Sequence, residues 1–305
     1  MPSFQVDGQR LVYTEFGSGD RVFVLIHGQL LSQRMHEPLA QELARRGNRV
    51  VTLDLLGHGW SDRPKDMWRY SMTQFAEQVV ALLDHLGLRQ AVVGGTSLGA
   101  NVTLEFAAIA PERANGLVIE MPVLDHGTYG AVLAFTPLLT ALKYARPVVN
   151  LMSSLFRLVP RDPLPLLGKI VVDAVGQDHS ASEYILQGLF MGRIAPGPAV
   201  RRGLEHPALV LGHPGDPIHP LGDAEMLAQE MPNAMLVEAE SIYELRFRPE
   251  RLTDAISEFL DQCWDVAPTP RAAGPDRPRR APSHRPARRR AVGRHARTAS
   301  ARRRA

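Results

Sequence analysis

The 305-residue chain reads as an α/β protein, a mostly parallel, doubly wound sheet carrying an inserted set of helices. Three observations predict it. Short β-branched runs alternate with helical repeats over residues 21–121, and again over 207–264. Between them, over 124–205, the pattern becomes helical pieces broken by Pro and Gly, with no convincing strand. Finally, residues 91–101, A-V-V-G-G-T-S-L-G-A-N, join a strand directly to a helix through G-x-S-x-G.

In order along the chain, residues 4–6 and 10–16 flank Asp7-Gly8 as a hairpin. Residues 21–26 form a buried strand ending in His27-Gly28-Gln29, and 35–46 a helix with Leu39 and Leu43 on one face. The strand at 49–53 leads into the turn 54–64, D-L-L-G-H-G-W-S-D-R-P. Ser71 and Gln74 make a capping box for a helix in which Phe75, Val79, Leu82 and Leu86 recur at helical spacing. The 91–95 strand, a helix bearing Val102, Phe106 and Ile109, and a strand at 116–121 follow. After the insertion come a strand at 207–211, the loop 212–220, a helix at 221–230 and a last strand at 234–239. Pro249 opens a final helix that presents Leu252, Ile256 and Phe259.

The domain plan is therefore a sheet core of 1–123 and 206–265, a helical cap of 124–205, and a tail of 266–305. Within the insertion, 131–142 and 148–159 are strongly apolar. Lys143 and Arg146 interrupt them before the roughly 18 residues that a membrane span needs. We expect a cap whose apolar face roofs the site, with most of these side chains packed.

Charge divides the chain. Residues 266–305 hold 13 Arg, no Lys and one acid, leaving 22 basic and 31 acidic residues, a net −9, for 1–265. The tail is rich in Pro and Ala with almost no large apolar residue, so disorder is expected. It reads either as a solvated extension or as a nonspecific anion-binding arm, and the acidic body argues against a specific nucleic-acid partner. The single cysteine, Cys263, excludes an internal disulfide framework and a Cys-based zinc site. With no basic stretch leading into an apolar one near Met1, a cytoplasmic location is expected.

The residues 95–99 carry the chemistry. Gly95 and Gly99 permit a turn too sharp for side chains, which pushes the Ser97 hydroxyl outward and frees the next backbone N–H for an oxyanion. The other reading is a Gly-rich turn with an ordinary N-cap serine. In a parallel sheet the ligand site lies at the carboxyl ends of the strands, where His27, Asp54 and Ser97 all fall.

With His27-Gly28, the G-H-G-x-S core of 54–64, the 95–99 elbow and an acid after a late strand at Asp216, the chain resembles the α/β-hydrolase fold family over nearly all of 4–264. The resemblance implies Ser97 as nucleophile, the backbone N–H groups of Leu98 and Gln29 as oxyanion hole, and Asp216 orienting a histidine base. A serine at 97 favours ester, thioester, lactone or related acyl chemistry on a small to medium hydrophobic substrate, with no metal and no organic cofactor implied. One feature departs from the family. Its histidine is expected near Ile242, yet no histidine lies between His219 and His284. Loss of the histidine from such a triad costs about a millionfold in turnover. Two histidines could stand in: His219, three residues past Asp216, and His126, just after the strand at 116–121. His219 is the first choice and His126 the alternative, while His36 and His85 are expected to be solvated. If neither serves, the chain is a noncatalytic binding protein that kept the pocket and lost its base.

Overall fold

The structure, a computed structural model, describes residues 1–265, so the tail of 266–305 lies outside the described residues. Strands β1 (Ser3–Val6) and β2 (Gln9–Phe16) pair as a hairpin whose turn, Asp7-Gly8, has φ of 47° and 76°. Positive φ at both central positions matches the right-handed twist of the flanking strands. The sheet continues with β3 (Val22–Ile26), β4 (Arg49–Asp54), β5 (Ala91–Thr96), β6 (Ala114–Glu120), β7 (Ala208–Gly212) and β8 (Ala234–Glu238). Its order is β1-β2-β4-β3-β5-β6-β7-β8, with β1/β2 and β2/β4 antiparallel and every other pair parallel.

Helices cover both faces. They are α1 (Glu37–Arg45), α2 (Met72–His85) and α3 (Leu98–Ile109), then α4 (Gly127–Tyr144), α5 (Arg146–Arg157), α6 (Leu166–Gly176), α7 (Ser182–Met191) and α8 (Pro198–Arg201) between β6 and β7. The chain closes with α9 (Leu221–Glu230), α10 (Glu244–Phe247) and α11 (Glu250–Asp265). The period of two along β3 assigns the faces. Val24 and Ile26 pack with Phe75, Val79 and Phe106 from α2 and α3, whereas Phe23 and Leu25 pack with Leu43, Ile256 and Phe259 from α1 and α11. Both faces are covered, which is why β3 and β5 read as continuous apolar runs.

Three local expectations are corrected. The helix expected at 35–46 starts as a 3-10 turn, Gln33–His36, and becomes α-helical only at Glu37. His36 is buried, not solvated, and its Nε2 donates to the Ile26 carbonyl at 3.1 Å. Only half of the capping box forms: the Ser71 hydroxyl accepts from Gln74 N at 3.2 Å, but the Gln74 side chain donates to the Trp68 carbonyl.

The inserted helices depart furthest from expectation. Leu142 is buried, but Leu133, Val148, Leu151 and Leu155 are each more than half exposed. Buried Asp223 on α9 anchors the start of the insertion, accepting the backbone N–H groups of Leu124, His126 and Gly127 at 2.7–3.0 Å.

Candidate active site

The elbow is built from the end of β5 and the start of α3. Ser97 between them has φ 55° and ψ −110°, a conformation that L-residues avoid and that must be held by its surroundings. Its N–H donates to the Glu120 carbonyl on β6 at 2.9 Å. The glycines are there for space. A Cβ at Gly95 would lie 2.6 Å from the Ile26 carbonyl oxygen, and one at Gly99 only 2.2 Å from that same atom.

The loop after β7 brings Asp216 and His219 to this hydroxyl. Asp216 Oδ1 accepts the backbone N–H groups of Ile218 at 2.8 Å and His219 at 3.0 Å, forming a tight turn. Its Oδ2 accepts from His219 Nδ1 at 2.8 Å. With Nδ1 donating to a carboxylate, Nε2 carries the lone pair, and it lies 2.8 Å from Ser97 Oγ. Burial pushes the Asp216 carboxyl up, but the hydrogen bonds and charge of His219 outweigh this and hold it below its ordinary value. The hydroxyl, imidazole and carboxylate thus form one hydrogen-bonded line.

His126 is not brought to Ser97. Its Nδ1 is 2.9 Å from Asp223 Oδ1 and its imidazole is 63% exposed. Gln29 and Leu98 both line the pocket that contains Ser97. Leu98 opens α3, so its N–H has no carbonyl one turn back. The Gln29 loop is held by His27, whose Nδ1 donates to the Gly28 carbonyl at 2.8 Å while Nε2 accepts from Leu55 N at 3.1 Å. A Cβ added at Gly28 would lie 3.9 Å from the Ser97 Cβ, which sets this loop beside the serine.

The segment where a histidine was expected holds an ion pair instead. Arg246 on α10 donates to Glu120 Oε2 at 2.9 Å and to Thr96 Oγ1 at 3.3 Å, and Thr96 in turn donates to Glu120. Burial opposes ionisation of Glu120, but the Arg246 guanidinium and, behind it, His213 Nε2 at 3.5 Å hold its carboxyl far below the usual range. Arg246 does not pair with Glu244, two residues away in the sequence. Glu244 is bound by Arg251 at 2.8 Å, because successive residues of a helix point in different directions. The charge at position 246 therefore buttresses the residue before Ser97 from behind.

The pocket, about 70 Å³, is lined mainly by apolar side chains, among them Met72, Phe135, Leu186 and Phe190. Sequence reasoning used only the backbone of Gln29 and missed its side chain. Both polar atoms of that amide are buried and find no hydrogen-bond partner among the described residues. A polar side chain directly after His27-Gly28 was the one available signal. No group of three or more His, Cys, Asp or Glu among the described residues is arranged to hold a metal ion.

The profile of the alpha/beta hydrolase fold matches residues 21–241. Among curated relatives, the 2-hydroxymuconate semialdehyde hydrolase of Pseudomonas putida is 31% identical over 196 residues, 62% of this chain and 67% of that protein. The dihydrolipoyllysine-residue acetyltransferase component of the acetoin cleaving system of the same species is 38% identical over 118 residues, 37% of this chain. That match spans only 30% of the relative's own length. Among solved structures, the enol-lactonase of Burkholderia xenovorans LB400 superposes with a TM-score of 0.66 at 22% identity, covering 85% of this chain and 99% of that one. Profile match, sheet order and elbow agree, and the chain belongs to the alpha/beta hydrolase fold family.

Proposed function

We propose that this chain is a cytoplasmic serine hydrolase acting on a small to medium hydrophobic ester, lactone or related acyl substrate. The observation that carries the reading is the position of His219, with Nε2 2.8 Å from Ser97 Oγ and Nδ1 2.8 Å from Asp216 Oδ2. In this reading Ser97 attacks the carbonyl carbon while His219 takes the hydroxyl proton. The N–H groups of Leu98 and Gln29 hold the developing oxyanion. His219 then gives the proton to the leaving group, and a water deprotonated by the same imidazole releases the acid from Ser97. Asp216 fixes the tautomer and stabilises the imidazolium between the two transfers.

The apolar wall supplied by Phe135, Leu186 and Phe190 favours an apolar acyl or leaving group and supports the reading of residues 124–205 as a cap over the serine. Kinship with an enol-lactonase and with a semialdehyde hydrolase supports carbonyl chemistry of this kind. The test is covalent labelling of the full chain by a fluorophosphonate. Prompt labelling that disappears in Ser97→Ala and falls steeply in His219→Gln supports the reading. An unlabelled wild-type chain would make it a noncatalytic binder instead.

A further inference from the structure

Helices α4 and α5 carry their apolar surface on the outside. Of the 22 large hydrophobic side chains exposed among the described residues, 10 fall between Tyr129 and Val159. On α5 the exposed Val148, Leu151, Met152 and Leu155 follow the i, i+3, i+4, i+7 spacing of a single helical face, while the buried residue of that helix is Ser153. A water-soluble helix would have the reverse arrangement. No single described helix is long and apolar enough to cross a membrane, and α4 and α5 meet at 105°. Such a pair suits the plane of an interface better than a span.

Charge selects the occupant. The two helices contain Lys143, Arg146, which pairs with Glu183 of α7, and Arg157, and no acidic residue, on a body whose residues 1–265 carry a net −9. At its carboxyl end α5 reaches a cavity of about 300 Å³ in which Arg34, Arg63, Arg157 and Arg161 outnumber Asp173 and Asp178. Arg161 pairs with Asp173 through Nη2, but its Nε is buried and has no hydrogen-bond partner among the described residues. Burial and the neighbouring Arg161 disfavour the charge on Arg34 more than Asp173, 3.8 Å away, favours it, an imbalance that an anion in the cavity would relieve. An apolar stripe that ends in surplus guanidinium groups matches acyl chains bordered by anionic headgroups.

We propose that α4 and α5 dock the protein on an anionic lipid surface, with the stripe 148–155 among the acyl chains and the arginine cavity facing headgroup phosphates. Phe135 on α4 also lines the pocket of Ser97, so the docked helix is continuous with that pocket. Docking requires no turnover and stands apart from the catalytic reading.

The experiment places an environment-sensitive fluorophore at Leu151→Cys in the full chain. The native thiol does not compete: Cys263 is buried, and that burial pushes its pKa up to about 12. A control probe is placed at Glu77→Cys, an exposed position on α2. Vesicles of equal parts phosphatidylglycerol and phosphatidylcholine are expected to produce a blue shift and a several-fold intensity gain at 151 and neither at 77. Vesicles of phosphatidylcholine alone should give a much weaker response. The proposal is overturned by silence at 151, by equal responses at both positions, or by equal responses to both lipids. It is also overturned if position 151 shifts without vesicles while the sedimenting mass doubles, since a second copy then covers this face.

Discussion

The imidazole of His219 meets the hydroxyl of Ser97 at 2.8 Å although the two residues stand 122 positions apart in the chain. The meeting depends on two turns at the carboxyl ends of parallel strands in one sheet, the elbow after β5 and the Asp216 turn after β7. In the proposed mechanism this is the proton path. Ser97→Ala and His219→Gln should each lower kcat on a p-nitrophenyl ester by about 10⁴- to 10⁶-fold, and the double variant should be little worse than either. Steady-state kinetics on all three checks this, and a His219→Gln enzyme within a few-fold of wild type would remove the histidine from the mechanism.

Gln29 should govern affinity more than chemistry. Its side-chain amide is buried beside Ser97 without a partner among the described residues, so a substrate offering it a carbonyl or hydroxyl would gain a hydrogen bond. Gln29→Leu is expected to raise KM about 10-fold for such a substrate and to leave a purely alkyl ester unaffected. The backbone N–H survives the change, so kcat on the alkyl ester should stay within a few-fold. Comparing the two substrates separates binding from catalysis.

The Arg246–Glu120 pair should be costly to break on one side only. Both side chains are at most 12% exposed, so Arg246→Met leaves a carboxylate buried without its cation, at a cost of about 3–5 kcal/mol. Adding Glu120→Gln should return much of that loss. Urea unfolding of the two single variants and the double variant measures the coupling.

Acid should weaken the fold partly through His36. Burial is the main reason its pKa falls from 6.5 to about 3, with Arg246 adding to it. The folded state thus binds this proton less readily than the unfolded chain. The contribution to stability is complete above about pH 6.5 and is lost as the pH drops toward about 3, at up to about 1.4 kcal/mol per pH unit. Burial lowers His27 and His58 in the same direction. In His36→Asn, moving from about pH 7 to about pH 5 should therefore cost measurably less stability than in the wild type, read from urea midpoints. Equal losses would contradict the assignment.

The inserted helices show where local pattern misleads. Their apolar runs were expected to pack, because an apolar residue in a soluble body is usually buried. Whether a helical face is covered depends on what lies opposite, and no periodicity contains that information. Opposite the stripe of α5 there is no other described element, and its residues stay exposed. The same limit applies to Arg246. Its position after the last strand was plain, but its choice of Glu120 over Glu244 is set by where α10 meets the sheet.

Sequence alone determined the α/β class, the alternation of elements and the serine turn, because each is written in short-range pattern: β-branched runs, helical repeats, and glycines where a Cβ would strike backbone. It also narrowed the candidate partners of the Ser97 hydroxyl to a pair of histidines. Tertiary structure alone decided which of them meets that hydroxyl, since proximity across 122 residues depends on the order in which strands are laid side by side. It turned His126 toward Asp223 and aimed His219 at Ser97, and it left the apolar stripe of α5 facing outward. The physical reason is the same in each case: local torsions are encoded by neighbours in the chain, whereas a hydrogen bond or a buried face requires a partner that only the folded sheet supplies.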